Sequence, residues 1–205
     1  MRYTYILILL IALFQCKSVF AEHISLGKKI PNLIIVDGGD LYFDRLGQRQ
    51  YRPWSTRSLL GKKTIIQYMP GRLSSRENLG LNSAVYAIDH PQRCRTVSIV
   101  NYTDALPGTW IFIEPEMGRN KKITPLCNIV LDKSGIGVEK WGLTLEENAT
   151  IVVNEEGIVE FFYEGRLSKK QIDQIVKMTN PPGAKINTDP NKPDPIRNSK
   201  TVLDY

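Results

Sequence analysis

Cysteine is the residue type in this chain whose spacing would most directly reveal a reactive site. The 205-residue chain has three cysteines, Cys16, Cys94 and Cys127. No two of them are separated by two residues, so the chain has no CxxC redox motif. Cys16 lies in an apolar N-terminal leader, which leaves Cys94 and Cys127 in the mature chain. In an oxidising compartment such a pair favours a disulfide; two buried, unreactive thiols are the alternative, and the sequence leaves both open.

The leader has the features of a cleavable export signal. Arg2 supplies a positive charge, and residues 6–14 form an apolar run that is too short to span a bilayer as a mature helix. Ala21 provides the small side chain that signal peptidase requires, so we expect cleavage before Glu22 and no transmembrane segment in the mature chain. A membrane anchor or a lipidated Cys16 are the alternatives that this pattern disfavours.

The charge balance of the chain excludes some partners. The formal net charge is +6, and it falls by two, to +4, when Arg2 and Lys17 leave with the leader. Charges of both signs are interspersed, with no dense Lys/Arg stripe among aromatic residues, so we expect no nucleic-acid binding. The mildly basic balance is only weak support for an anionic partner. No P-loop or dinucleotide fingerprint is present, and we expect neither a cofactor nor a metal.

Hydrophobic patterning predicts the elements that would position any site. Apolar and β-branched runs predict strands, and S-x-x-E or S-x-x-Q capping boxes followed by apolar residues at helical spacing predict helices. The predicted strands cover residues 28–36, 64–69, 95–101, 128–132, 149–153 and 158–163, and the predicted helices cover 74–88, 136–143 and 168–178.

Two stretches lack a clear periodic pattern. Residues 37–40, with the sequence DGGD, carry a turn signal. Residues 102–125 contain three prolines and two glycines, and they predict an irregular insert in which Trp110, Phe112 and Ile113 are candidates for burial.

The order of these elements predicts an α/β fold. The first two central strands need a parallel pairing with a right-handed crossover, the closing hairpin adds antiparallel strands at one edge, and the last helix covers a face. This is a thioredoxin-like three-layer α/β/α sandwich with a mixed central sheet and a C-terminal β-hairpin plus helix. We therefore divide the chain into a signal peptide at 1–21, one thioredoxin-like domain at 22–179 and a disordered Pro/Asn-rich tail at 180–205.

Four segments, in one order along the chain, carry a family resemblance. They read GKKTIIQYMPGRLSSRENL, TVSIVNYTDALPGT, NKKITP and DKSGIGVEKWGLTLEENATIVVNEEGIVEFFYEGRLS, and they lie between about Tyr51 and Met178. In them the chain resembles the YtfJ family of exported thioredoxin-like proteins of Gram-negative bacteria, a family of unassigned activity. The resemblance implies the fold and a periplasmic location. It gives no support to the Cys94/Cys127 pair or to the tail.

The place where this fold usually carries its catalytic cysteine has none. In thioredoxin-like enzymes the cysteine stands where the first central strand meets the first helix, because the helix N-terminus stabilises a thiolate. Here that junction is residues 69–76, MPGRLSSR, and it contains no sulfur nucleophile. The proline that such enzymes place before the first hairpin strand is also absent, since Asn148 stands there. Both departures argue against dithiol exchange.

The same junction predicts an anion site instead. Arg72 and Arg76 flank the predicted helix N-terminus, and Ser74 and Ser75 add hydroxyl donors. Guanidinium groups, free backbone N–H groups and the helix dipole together suit a carboxylate or phosphate, either free or on a partner protein. The alternative is that Ser74 only caps the helix and that both arginines are solvated.

Two functions follow from these residues. The favoured one is an exported, non-redox binding or accessory protein whose partner is a periplasmic protein or a small anion. The alternative is a periplasmic thiol-disulfide or peroxide oxidoreductase that uses Cys94 and Cys127.

Neither cysteine lies at a predicted helix N-terminus, so we expect no strongly lowered thiol pKa. If the strands that follow Cys94 and Cys127 are parallel neighbours, the two cysteines lie at the same end of the sheet. In that case we hypothesise that they form a structural disulfide.

Overall fold

A seven-stranded sheet organises residues 22–71 and 94–179, the part of the chain that the computed structural model describes. Its strands are β1 (Ile34–Phe43), β2 (Arg49–Ser55), β3 (Lys63–Pro70), β4 (Cys94–Asn101), β5 (Asn128–Asp132), β6 (Ala149–Val153) and β7 (Val159–Glu164). The helices are α1 (Trp110–Ile123), α2 (Ile136–Trp141) and α3 (Lys169–Thr179), with short 3-10 turns at Thr56–Leu59 and Tyr102–Asp104. The strand order is β2-β1-β5-β4-β3-β6-β7.

Three parallel strands form the centre of this sheet. β3 pairs in parallel with β4, and β4 with β5. Their apolar runs are buried on both faces, as expected for parallel strands covered by helices. The strands predicted at 64–69, 95–101 and 128–132 are therefore confirmed, together with the parallel pairing of the first two.

The C-terminal hairpin extends one edge of the sheet. β6 pairs antiparallel with β3, and β7 pairs with β6. The Asn154 side chain holds the connecting loop, because its Oδ1 accepts hydrogen bonds from the backbone N–H groups of Glu156 at 3.1 Å and Ile158 at 2.8 Å. The predicted hairpin is confirmed. At the other edge β1 and β2 form a second antiparallel hairpin.

Helices pack on both faces of the sheet. On one face the buried Trp141 at the end of α2 belongs to the largest apolar cluster, with Leu33, Ile66 and Ile99. On the other face α3 packs against Ile65, Val152 and Phe161, and α1 packs against Leu41, Ile129 and Leu131. Removing these side chains from water is the main favourable contribution to the fold. The arrangement is a thioredoxin-like three-layer α/β/α sandwich, as predicted.

The last helix begins at the predicted capping box. The Ser168 N–H donates to Oε1 of Gln171 at 2.8 Å, and the Gln171 N–H donates to Oγ of Ser168 at 3.4 Å. These reciprocal bonds satisfy backbone groups that the first turn of a helix cannot pair internally. Ile175 is fully buried on the sheet, with Ile172 and Met178 partly buried beside it.

The turn expected at residues 37–40 is wrong, because these residues lie inside β1. Gly38 and Gly39 have φ values of +96° and +91°, and they form an irregularity in the pairing with β2. A Cβ at Gly38 would lie 3.1 Å from the carbonyl carbon of Leu131, and one at Gly39 would lie 2.9 Å from that of Arg52. The glycines therefore allow β1 to pass closely between β5 and β2, where no side chain fits.

The irregular stretch expected at residues 102–125 is also wrong. It contains α1, a 14-residue helix with Pro115 inside it. Pro115 removes one backbone hydrogen bond, but Ile113 and Met117 are one turn apart and both bury their side chains on the sheet, which offsets that loss. Of the three apolar residues expected to be buried, only Ile113 is; Trp110 and Phe112 are 50% and 59% exposed.

Tight packing at Gly137, in α2, generates a stability prediction. A Cβ there would lie 2.9 Å from Cζ of the buried Tyr68 ring and closer still to Cε2. We expect Gly137→Ala to lower the free energy of unfolding by about 1–3 kcal/mol, the usual range for overpacking. The measurement is urea unfolding followed by circular dichroism.

The matched control for Gly137→Ala is Glu139→Ala, an exposed position on the same short helix. It should change the free energy of unfolding by no more than about 0.5 kcal/mol. Equal effects of the two substitutions would contradict the packing explanation.

Candidate functional site

The carboxyl ends of the parallel strands meet at one edge of the sheet. Pro70, the last residue of β3, is the register partner of Asn101, and Asn101 is the partner of Asp132. In α/β sheets, ligands bind at this edge, in the crevice outside the strand ends. The residues around these three positions therefore form the candidate site.

A fully buried carboxylate lies at the end of β5. Oδ2 of Asp132 accepts hydrogen bonds from the Tyr68 hydroxyl and the Gly137 N–H, both at 2.8 Å. Oδ1 accepts from the Ile136 N–H at 3.1 Å and from the Ser134 hydroxyl at 3.4 Å. Burial, and then the negative charge of Asp132, raise the pKa of Tyr68 above its ordinary value, so the phenol stays a donor. With both oxygens occupied, Asp132 positions α2 and is not available as a base.

A buried amide closes β4 in a similar way. Asn101 is 0% exposed, and its Nδ2 donates to Oδ2 of Asp104 at 2.8 Å. Its Oδ1 accepts from the Thr103 N–H at 3.1 Å and from the Thr103 hydroxyl at 2.8 Å. The side chain thereby caps the 3-10 turn that follows, and it fixes the loop between β4 and α1.

Two glycines bring these loops into direct contact. A Cβ at Gly71 would lie 2.5 Å from the backbone oxygen of Asn101. Gly135 has a φ of +68°, and a Cβ there would lie 2.7 Å from Oγ1 of Thr103. The loops after β3, β4 and β5 thus pack backbone against side chain with no intervening space. The edge is a hydrogen-bonded platform that sets where the chain leaves Gly71.

The residues predicted to bind an anion follow directly on this platform. Arg72, Ser74, Ser75 and Arg76 all lie outside the described residues, so the anion site at the junction stays a prediction. What the structure does describe is the point from which the segment starts, Pro70 and Gly71, both buried against the end of β4.

The two cysteines lie at the opposite end of the sheet. Cys94 is the first residue of β4, and Cys127 immediately precedes β5. Since β4 and β5 are parallel neighbours, the two strand starts do share one end, as predicted. Both cysteines are thus separated from the junction by the length of the central strands.

The strand register bears on the predicted disulfide. Val97 pairs with Asn128, so continuing the register places Cys127 across from Thr96 and Cys94 two residues further back. Standard strand spacing and rise then put the Cα atoms about 8 Å apart, whereas a disulfide requires less than about 7 Å. A bridge would need one strand start to move from this register. The Cys94 side chain lies outside the described residues, and the pairing stays a prediction.

The Cys127 thiol is free and partly buried. Burial raises its pKa above the ordinary value, although hydrogen bonds with Thr124 and Thr96 and the charge of Lys121 act in the opposite direction. The Lys121 ammonium donates to the backbone oxygens of Cys127 at 2.6 Å and Pro125 at 3.1 Å. The expected lack of a lowered pKa is confirmed for this thiol, which is not an activated nucleophile.

The polar ends of β4 and β5 were not among the predicted site residues. The sequence signal that could have found them is a polar residue, Asn101 or Asp132, at the end of each apolar strand. Parallel pairing brings these two strand ends together.

Within residues 22–71 and 94–179, no group of three or more His, Cys, Asp and Glu side chains is arranged to hold a metal ion.

The fold and its mixed sheet define the chain as a thioredoxin-like α/β protein. It superimposes on the thioredoxin domain of a thiol-disulfide oxidoreductase from Bacteroides vulgatus with a TM-score of 0.51 and 16% identity, covering 77% of this chain and 99% of that one. The superposition on the reduced 2-Cys peroxiredoxin of Plasmodium vivax has a TM-score of 0.51 and 12% identity, and it covers 74% of this chain and 80% of that one. At these identities the likeness concerns the fold alone.

Residues 24–181 match the family described as "Bacterial protein of unknown function (YtfJ_HI0045)", and the chain belongs to this YtfJ family. It is 31% identical to the "Uncharacterized protein YtfJ" of Escherichia coli K12 over 160 residues, 77% of this chain and 86% of the relative. An "Uncharacterized protein" of Haemophilus influenzae is 27% identical over 177 residues, 85% and 96% of the two chains. The family resemblance inferred from the sequence is confirmed.

The environment of Cys127 generates a reactivity prediction. A raised pKa means less thiolate at pH 8, so in a Cys16→Ser/Cys94→Ser chain we expect Cys127 to react with iodoacetamide at least about tenfold more slowly than in urea. The rate should rise with pH into the range above the ordinary thiol pKa. The measurement is the alkylation rate by mass spectrometry between pH 7 and 10, with glutathione as the unburied reference. A rate equal to that of glutathione at pH 8 would contradict the burial of this thiol.

Proposed function

We propose that this protein is an exported, non-redox binding or accessory protein built on a thioredoxin-like scaffold. The observation that carries the proposal is that the Cys127 thiol lies far from the edge of the sheet where this fold usually places its catalytic cysteine. Cys127 lies at the amino ends of the parallel strands, while the carboxyl ends hold the saturated side chains of Asp132 and Asn101. Fold alone does not assign chemistry, so the dithiol activity of structural neighbours does not transfer to this chain.

The surroundings of the carboxyl-end platform support a role in contacting a partner. Leu106, Trp110, Ile111 and Phe112 follow the end of β4 and are each 47–59% exposed. The neighbouring Ile113 would be 3.0 Å from a Cβ on Gly71, which places the start of α1 directly beside the junction. Contiguous exposed apolar patches mark interaction surfaces in soluble proteins, and these four residues fall within seven positions of the chain. A periplasmic protein is the partner we propose for this edge.

Export is the second part of the proposal. The leader has the composition of a signal peptide, and the domain is already folded just after the expected cleavage point. Ile24 is 6% exposed in the main core, and the Gly27 N–H donates to the backbone oxygen of Val159 at 2.9 Å. Cleavage before Glu22 would therefore leave the folded domain intact. In the described ranges, no helix has the length and apolar character needed to cross a membrane.

The non-redox assignment is tested by turnover. We expect the protein to catalyse neither insulin reduction by dithiothreitol nor peroxide consumption above the uncatalysed rate, because no activated thiolate lies at the junction. A CxxC thioredoxin in the same assays is the positive control. Turnover that disappears in both Cys94→Ser and Cys127→Ser would overturn the proposal in favour of the oxidoreductase alternative.

Export is tested by processing in a Gram-negative host. We expect the periplasmic fraction to contain a chain that begins at Glu22, identified by intact mass and N-terminal sequencing. Ala21→Arg should block cleavage and leave the precursor at the membrane, since signal peptidase requires a small residue there, whereas Ala21→Gly should be processed. An unprocessed wild-type chain in the cytoplasm would contradict this part.

A further inference from the structure

A groove lies between the β1–β2 turn and the part of α1 from Pro115 onward, away from the exposed apolar residues at the start of that helix. Its volume is about 330 Å³. The residues that define its chemistry are Phe43, Arg49, Pro115, Gly118, Arg119 and Lys122. None of them takes part in the site described above.

Two residues of α1 that lack a long side chain leave room for this groove. Pro115 and Gly118 are three positions apart, so they lie on one face of the helix. Both residue types are unfavourable in the interior of a helix, and here both line the groove. The half-buried ring of Phe43, the last residue of β1, adds a further apolar wall.

The lack of a side chain at Gly118 also positions an arginine. A Cβ at Gly118 would lie 2.8 Å from Cδ of Arg49, so the methylene groups of Arg49 lie directly against the backbone of α1. Gly118 is buried there, whereas Arg49 is exposed. The stem of Arg49 therefore packs on the helix while its guanidinium stays in water, as is usual for long cationic side chains.

The groove has an excess of positive charge. Arg49, Arg119 and Lys122 line it, and no described Asp or Glu does. Glu116 accepts a hydrogen bond from Nε of Arg119 at 3.1 Å and neutralises that residue. Arg49 and Lys122 form no ion pair with a described carboxylate, and Nζ of Lys122 lies 5.2 Å from the centre of the Phe43 ring. Two charges are therefore available to a ligand.

The acidic residue of the adjoining turn is occupied within that turn. Oδ1 of Asp44 accepts hydrogen bonds from the backbone N–H groups of Leu46 and Gln48, both at 2.9 Å, and Oδ2 accepts from Nε2 of Gln50 at 3.2 Å. The bond from Gln48 is the largest cause that lowers the pKa of Asp44 below its ordinary value. This carboxylate thus holds the turn that leads to Arg49, and it leaves the guanidinium unpaired.

We infer that this groove binds an acidic segment of a partner protein. Arg49, Arg119 and Lys122 are all exposed, so the groove is open to solvent and would leave much of a small molecule in water. A peptide that lies along it places acidic side chains against the cations and an apolar side chain against Phe43 and Pro115. The groove is a second surface, and the inference does not depend on the non-redox function.

The test uses the mature chain and a synthetic, rhodamine-labelled peptide in which Glu alternates with Phe and Leu. Fluorescence anisotropy should show saturable binding that weakens as NaCl is added, because the charges are exposed. The same peptide with Gln in place of each Glu should not bind. A peptide with Ala in place of Phe and Leu should bind more weakly, because it loses the contact with the apolar walls.

Substitutions then locate the peptide. Arg49→Ala should weaken binding about fivefold, near the upper end for an exposed charge pair. Gly118→Ala keeps every charge but puts a methyl group where the Arg49 stem lies, so it should also weaken binding; full affinity in this variant would overturn the inference. Arg45→Ala is the matched control, since Arg45 is exposed in the same turn and does not line the groove. It should change the affinity less than about twofold. Circular dichroism establishes that each variant is folded.

Four further results would overturn the inference. They are the absence of saturable binding by the Glu peptide, an equal loss of affinity in Arg45→Ala and Arg49→Ala, a loss confined to Trp110→Ala, and tighter binding of phosphatidylglycerol vesicles with the same dependence on Arg49. The second would indicate attraction by overall charge. The third would place the peptide on the apolar surface at the start of α1, and the fourth would make the occupant a membrane. The assays of thiol turnover test the non-redox function separately from all of these.

Discussion

The in-register parallel pairing of β3, β4 and β5 is the constraint on which the rest of this structure depends. It brings Pro70, Asn101 and Asp132 to one edge and places the backbone of Cys94 and the thiol of Cys127 at the other. Because β-strands are stiff and their register is set by burial on both faces, the two ends cannot exchange residues without unfolding the centre of the sheet. Chemistry at one end is therefore independent of chemistry at the other, and each end must be judged by the side chains that it holds.

At the carboxyl ends of the parallel strands, the side chains of Asp132 and Asn101 stabilise the loops that follow. The Asp132 carboxylate would be unfavourable in the core if it were alone, but four donors surround it, and the same is true on a smaller scale of the Asn101 amide. Such saturated groups make a surface that holds its shape when something binds to it. A thioredoxin-like scaffold can thus build its carboxyl edge from hydrogen-bonded Asp132 and Asn101, and the fold alone does not assign chemistry to that edge.

Much of this fold could be predicted from the sequence because burial and capping leave local signals. Apolar runs marked β3 to β7, and the Ser168–Gln171 box marked the start of α3. The errors occurred where tertiary contacts override local preference. Gly38–Gly39 is typical of a turn, but here the pair lets a strand pass between two others, and Pro115 is tolerated because α1 is anchored by burial. The buried Asp40 carboxylate is hydrogen-bonded to Arg52 and Asn128, which come from two other strands, so no local pattern could reveal this cluster.

The double glycine in β1 also determines how the sheet could fail. Gly38 and Gly39 are the points at which the β1–β2 hairpin closes on β5, with backbone so near that a single methyl group would separate them. If that closure were lost, β5 would become the outermost strand, and a row of N–H and C=O groups in an apolar segment would be open to pairing with another molecule. The β1–β2 hairpin thus protects the edge of β5 from pairing with another molecule. Gly38 and Gly39 make this possible, because they let β1 approach β5 and β2 closely.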